Sequence, residues 1–137
     1  MKLKEEMRSM TVKLNKQAFE QAKTLIEQEK FVCDEKNMWS EHQPSVQDQD
    51  EYLQEQGIGE YGKWYLGIDT GEDEFTKARY KFPYGDFENV HYCEVLAAEI
   101  RAGQNKYDDI EQAAAHLHGM LDGAKREQGK RLLQLNE

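Results

Sequence analysis

The sequence predicts a mainly α-helical fold: a compact single domain with an aromatic-rich irregular middle, a C-terminal antiparallel helical hairpin and at most a short β pair. Three observations carry this expectation. Apolar residues recur at helical spacing in the N-terminal and C-terminal thirds, and no stretch alternates apolar with polar residues and β-branched enrichment. Nine of the fourteen aromatic side chains fall between Tyr61 and Tyr92, in a run that also holds Gly62, Gly67, Gly71, Pro83 and Gly85. Aromatics bury large areas with few rotatable bonds, so such a run among turn formers reads as a rigid, irregular knot.

The elements follow in order. Residues 1–10 read as a loose charged lead-in. From Thr11 to Lys30, Val12, Phe19 and Ile26 recur at seven-residue spacing, with Ala22 and Leu25 on the same side, which predicts an amphipathic helix. Residues 31–44 follow neither period and end in Pro44, so an ordered loop anchored by Phe31, Met38 and Trp39 is expected. Ser45 is placed to cap a helix over 46–56, with Asp48, Asp50 and Glu51 in its first turns and Gly57 at its end. Residues 60–66 could make two further helical turns and 72–79 another short helical piece. At 80–87 Pro83 removes a donor and biases Phe82 towards extended backbone, which predicts a bend. Any short β pair would use Phe31–Cys33 and Tyr80–Phe82.

A helix is expected over 87–102, capped by Asp86 and ended by Gly103, with Val90, Cys93, Ala97 and Ile100 on one stripe. The last helix starts at Asp108 and presents Ile110, Ala113, Ala114, Leu117, Met120, Leu121 and Ala124. The short link between the two predicts an antiparallel hairpin, closely packed at Ala97, Ala98, Ala113, Ala114 and Ala115. The domain thus spans 11–124, and 125–137 forms a polar tail with Leu132, Leu133 and Leu135 near its end.

With 137 residues the chain fits one domain. Its net charge of −9 is concentrated centrally, since residues 31–76 hold two basic and twelve acidic side chains. No basic stripe exists to neutralise a phosphate backbone, so a nucleic-acid partner is not expected; a basic protein surface fits the charge better. Cys33 and Cys93 lie sixty residues apart in no CxxC pair, and no apolar run approaches ~18 residues. A reduced, cytoplasmic setting without membrane association is therefore expected.

Chemistry-bearing motifs are sparse. His91 with Cys93, and His116 with His118, stand two residues apart, so on a helix each pair diverges by about 200° and cannot hold one ion locally. A metal would need long-range assembly of His42, His91 and one of His116 or His118; this remains an alternative, and no metal ligand or cofactor is assigned. The acidic run Asp69–Glu74 lacks the glycine and the final glutamate of a helix–loop–helix calcium site. The three serines, Ser9, Ser40 and Ser45, fall in no nucleophile motif, and no catalytic residue is assigned. The leading expectation is a non-enzymatic binding or protein-interaction protein with an acidic, aromatic-rich surface. Its binding candidates are Trp39, His42, Arg79, Tyr84, Asp86 and His91, because Trp, Tyr and Arg dominate binding hot spots. A small-molecule pocket lined by the aromatic cluster, with Arg79 and Asp86 as polar anchors, is a further alternative. A homodimer is compatible with the leucines of the tail and the alanines of the hairpin.

The segments WSEHQPS (39–45), EYGKWYLGID (60–69), RYKFPYGDFENVH (79–91), AAEIRAGQ (97–104) and DIEQAAAHLHGMLD (109–122) together resemble a family of short bacterial proteins. A basic residue commonly follows the Val-His pair there, where this chain has Tyr92. The resemblance brings no activity, cofactor or catalytic residue; it implies that the knot and the C-terminal hairpin form one unit.

Overall fold

The structure, a computed structural model, describes residues 11–34 and 43–135. Its elements in chain order are β1 (Val12–Leu14), α1 (Lys16–Glu27), β2 (Phe31–Val32), α2 (Val46–Gly62), β3 (Tyr65–Asp69), a 3-10 turn (Lys77–Arg79), β4 (Tyr80–Pro83), β5 (Val90–His91), α3 (Tyr92–Gln104) and α4 (Asp108–Leu135). The fold is mixed α/β, which corrects the mainly α, all-helical expectation. A three-stranded antiparallel sheet has the order β1-β3-β4, and β2 pairs in parallel with β5. The two segments expected to pair with each other belong to different sheets: Phe31 pairs with Val90, and Tyr80 with Ile68.

The physical reason for the miss is visible in β3. Tyr65, Leu66 and Gly67 are all buried, so the strand is covered on both faces and has no alternation to read. Gly67 is required there because a Cβ would stand 2.9 Å from the Phe82 ring and 3.2 Å from Ile110. Val12 shares the spacing of Phe19 and Ile26 yet lies in β1, opposite Asp69. Asn15 makes the switch from strand to helix: its side-chain oxygen caps α1 at the Ala18 amide, and its Nδ2 donates to the carbonyls of Gly62 (2.9 Å) and Tyr65 (3.0 Å).

Ser45 caps α2 as expected, in a reciprocal box: Ser45 Oγ accepts from the Asp48 amide (3.0 Å) and Asp48 accepts from the Ser45 amide (3.3 Å). Gly57, with non-helical backbone at φ 87° and ψ 165°, ends the first helical stretch as expected, and a second stretch resumes beyond it to Gly62 within α2. Of residues 60–66, expected to be helical, 60–62 belong to α2, whereas Tyr65 and Leu66 begin β3. Phe82 is not extended despite Pro83; its φ is 63°, a conformation that costs a bulky residue roughly 1–3 kcal/mol and persists only where packing holds it.

Helix α3 begins at Tyr92, not at 87. This start corrects the predicted stripe: Cys93, Val95, Ala98 and Ala102 are buried, whereas Ile100 is exposed. Helix α4 packs back on α3 and buries Ile110, Ala113, Ala114, Leu117 and Leu121, the face predicted for it, and the Tyr107 amide donates back to the Ala102 carbonyl at the link (2.9 Å). It continues as a helix through the segment expected to be a tail, where Leu132 and Leu133 are exposed. The core joins these residues to Tyr61, Trp64, Tyr65, Leu66 and Tyr84, so much of the aromatic knot is interior. No described helix is long and apolar enough to cross a membrane.

Candidate functional site

Two places concentrate chemistry. The first lies where β5 runs into α3. Gly85 and Val90 bridge, and the turn between them is built by Asp86, whose Oδ1 accepts from the amides of Glu88 (3.0 Å) and Asn89 (2.8 Å). Glycine is needed at 85 because a Cβ would sit 2.4 Å from the Asn89 carbonyl oxygen. The turn delivers His91, whose amide donates to the Tyr84 carbonyl (2.9 Å), as the residue before α3.

The His91 ring is buried between two carboxylates. Nδ1 lies 2.7 Å from Asp34 Oδ2 and Nε2 lies 2.7 Å from Asp86 Oδ2. Asp34 reaches further: Oδ1 accepts from the Cys93 amide (2.8 Å) and Oδ2 from the Cys93 thiol (3.0 Å). The His91 side chain makes no capping bond, so Asp34 supplies from β2's end the anionic cap that α3 lacks. Burial alone would lower the His91 pKa, but the hydrogen bonds and charges of Asp86 and Asp34 outweigh it and raise it. Burial likewise opposes ionisation of Asp86, and the bonds from His91, Asn89 and Glu88 override it, so its pKa falls. The Cys93 thiol is pushed up by burial and by the Asp34 carboxylate. As arranged, this thiol is a poor nucleophile.

Glu94 follows in the first turn of α3, buried, with Oε1 accepting from Arg101 Nη2 (2.8 Å); burial raises its pKa to about 7 against the pull of Arg101. Arg101 also lines a groove of about 520 Å³ that takes residues from all three strands of the antiparallel sheet, Val12, Asp69, Lys81 and Phe82, together with Glu72 and Tyr107.

The second place is the loop 70–76 between β3 and the 3-10 turn. Asp69 Oδ1 accepts from the Gly71 amide (3.0 Å), Asp73 Oδ1 from the Phe75 amide (2.8 Å), and Thr76 Oγ1 donates to the Asp73 carbonyl (2.9 Å). Thr70 ties the loop's start to the Thr11 carbonyl (2.9 Å). The loop is therefore pinned at several points, and it presents Phe75, 78% exposed, among exposed Glu72, Asp73 and Glu74.

Of the predicted binding residues, the structure brings Asp86 and His91 into contact. Arg79 holds the acidic loop by donating from Nη1 to the Glu72 carbonyl (3.2 Å). Tyr84 is fully buried, stacked on Trp64 and donating to the Lys63 carbonyl (2.7 Å), which corrects its placement on an accessible rim. Trp39 and His42 lie outside the described residues. His116 meets the Phe19 ring edge-on, and His118 pairs with Glu99 and Asp122, so neither shares a donor cluster with His91.

Sequence reasoning missed Asp34 and the approach of Cys93 to His91. The 200° divergence holds only if both residues are helical, and His91 has extended backbone, φ −107° and ψ 121°. The Phe31 strand signal pointed to the right segment, but its partner, Val90–His91, lies nearly sixty residues away. In comparisons with protein-family models, curated proteins and solved structures, none matches the chain.

Proposed function

We propose that this is a non-enzymatic, cytoplasmic interaction protein that offers Phe75, on its acidic loop, to a protein partner with an apolar pocket rimmed by cations. The observation that carries this reading is the 78% exposure of Phe75 on a loop fixed by its own side-chain hydrogen bonds. A single exposed apolar residue is ordinary on a protein surface. A preorganised one is different, because little ordering entropy remains to be lost when its ring is buried, and that burial supplies about 1.5–3 kcal/mol. Glu72, Asp73 and Glu74 around it steer a basic surface into register. The reading keeps the acidic, aromatic contact surface expected from the sequence, with Arg79 retained beside the loop and Phe75 in place of the buried Tyr84.

The test compares immobilised wild-type protein with Phe75→Ser in cell extract. A partner retained by the wild type, lost from the variant and released by moderate salt supports the proposal. Identical retained proteins for both overturn it, provided the variant's unfolding midpoint is unchanged.

A second reading is favoured by the groove beside β4. Its volume is in the range of ligand sites, and it sets Asp69 and Glu72 with Lys81 and Arg101 around Phe82 and Tyr107. Paired charges over aromatic walls suit a small zwitterion, and this site replaces the pocket expected around Arg79 and Asp86. Thermal shifts with free amino acids and short peptides distinguish it from the protein-binding reading.

A further inference from the structure

Three donors of different chemistry converge below the start of α3. The carboxylate of Asp34, the imidazole Nδ1 of His91 and the thiol of Cys93 offer ligand atoms that all lie within 4.8 Å of one another. Oδ2 of Asp34 is 2.7 Å from Nδ1 and 3.0 Å from Sγ. In a tetrahedral site with metal bonds of about 2.0–2.3 Å, neighbouring ligand atoms are about 3.3–3.8 Å apart. The two pairs that share Oδ2 therefore need to spread by roughly an ångström or less, and Nδ1 and Sγ, within 4.8 Å of each other, to settle at the same separation, for an ion to replace the hydrogen-bonding protons.

We infer that Asp34, His91 and Cys93 form a zinc site, with Asp86 as the carboxylate that orients the ligating histidine. Mixed sulfur, nitrogen and oxygen donors suit zinc, whereas magnesium and calcium take oxygen ligands and copper(I) prefers softer sets. Asp86 is placed as the outer partner of a carboxylate–histidine–metal arrangement. It lies 2.7 Å from His91 Nε2 and is itself held by two backbone amides, so it can keep a proton on Nε2 when Nδ1 gives up its own and ligates the ion. The Cys93 amide fixes the second oxygen of Asp34 in the same way. On binding, Zn²⁺ displaces the thiol proton of Cys93 and any proton on Nδ1, and forms bonds to Sγ, Nδ1 and Oδ2. The two anionic ligands then balance the ion's charge. They fill three of the four places zinc usually takes.

This inference is independent of the Phe75 surface. The sequence sets His91 and Cys93 aside as a local pair and does not single out Asp34, because their convergence depends on the extended backbone of His91.

The test uses the full chain, purified without chelators, stripped and then titrated with Co²⁺ as the spectroscopic probe. A thiolate-to-cobalt charge-transfer band with intense visible d–d bands, saturating at one ion per chain and displaced by Zn²⁺, is expected. Cys93→Ser should abolish the charge-transfer band, while Cys33→Ser, at the exposed cysteine, should retain it. Asp86→Asn should keep the band but weaken the apparent affinity by about 10–100-fold. Absence of the charge-transfer band in the wild type overturns the proposal without any variant needing to fold. A band that survives Cys93→Ser, or that is lost in Cys33→Ser, overturns it equally.

Discussion

Trp64 shows how the aromatic knot is used. It is 5% exposed, stacks on Tyr84 at 5.4 Å, meets Phe87 edge-on at 5.9 Å and donates its indole N–H to the Tyr52 hydroxyl (3.2 Å). Truncation removes a large transfer term and leaves a cavity among rings that cannot collapse into it. Trp64→Ala is therefore expected to cost about 3–5 kcal/mol in urea unfolding. A change within ~0.5 kcal/mol would mean the residue is a surface group. At this scale much was legible: aromatic residues in a chain poor in Leu and Ile had to supply core, and Trp64, Tyr65 and Tyr61 do. Which aromatic stayed outside was not legible. Phe75 and Phe87 have the same side chain, but Phe87 stacks on Tyr52 at 4.4 Å while Phe75 stands in solvent.

Elements start and stop here through polar side chains acting over different distances. The Ser45–Asp48 box is local, three residues across, and could be read from the chain. Asn15 acts over longer range: it caps α1 and also ties the end of α2 to β3. Asn15→Ala should cost more than the ~1 kcal/mol of an ordinary cap, because two carbonyls lose their donors inside the fold. Asn15→Asp, which keeps the capping oxygen, should recover only the helix contribution and remain destabilised. Chemical denaturation of both variants separates the two roles, and equal stability of wild type and Asn15→Asp would sink this account. The strands escaped sequence reading for a related reason. They are two to five residues long, too short for a period, and each depends on a partner from elsewhere in the chain.

Across the whole molecule, two buried phenols couple protonation to the fold. The Tyr84 and Tyr65 pKa values are both raised chiefly by burial; a bond from Gln21 opposes the shift at Tyr84, and the hydroxyl of Tyr61 adds to it at Tyr65. A folded-state pKa above the unfolded value of about 10 means that stability is fully present below that pH and is lost as pH rises beyond it. Raising the pH should therefore bring up the phenolate absorbance of these two tyrosines together with loss of far-ultraviolet circular dichroism. Tyr65→Phe and Tyr84→Phe should each shift the alkaline midpoint upward. Full tyrosine titration with the dichroism intact would show that the rings are accessible in the fold.

The sequence by itself determined the apolar face of α4, the hairpin it makes with α3, the cap at Ser45 and the aromatic origin of the core. Each of these follows from spacing or chemistry within one local segment. Tertiary structure alone decided the two sheets, the burial of Tyr84 and the meeting of Asp34, His91, Cys93 and Asp86. Those depend on strand pairing across long stretches of chain, and on whether His91 takes extended or helical backbone. A local pattern cannot carry that choice, because it is the hydrogen bonds to Tyr84, Asp34 and Asp86 that hold His91 in place.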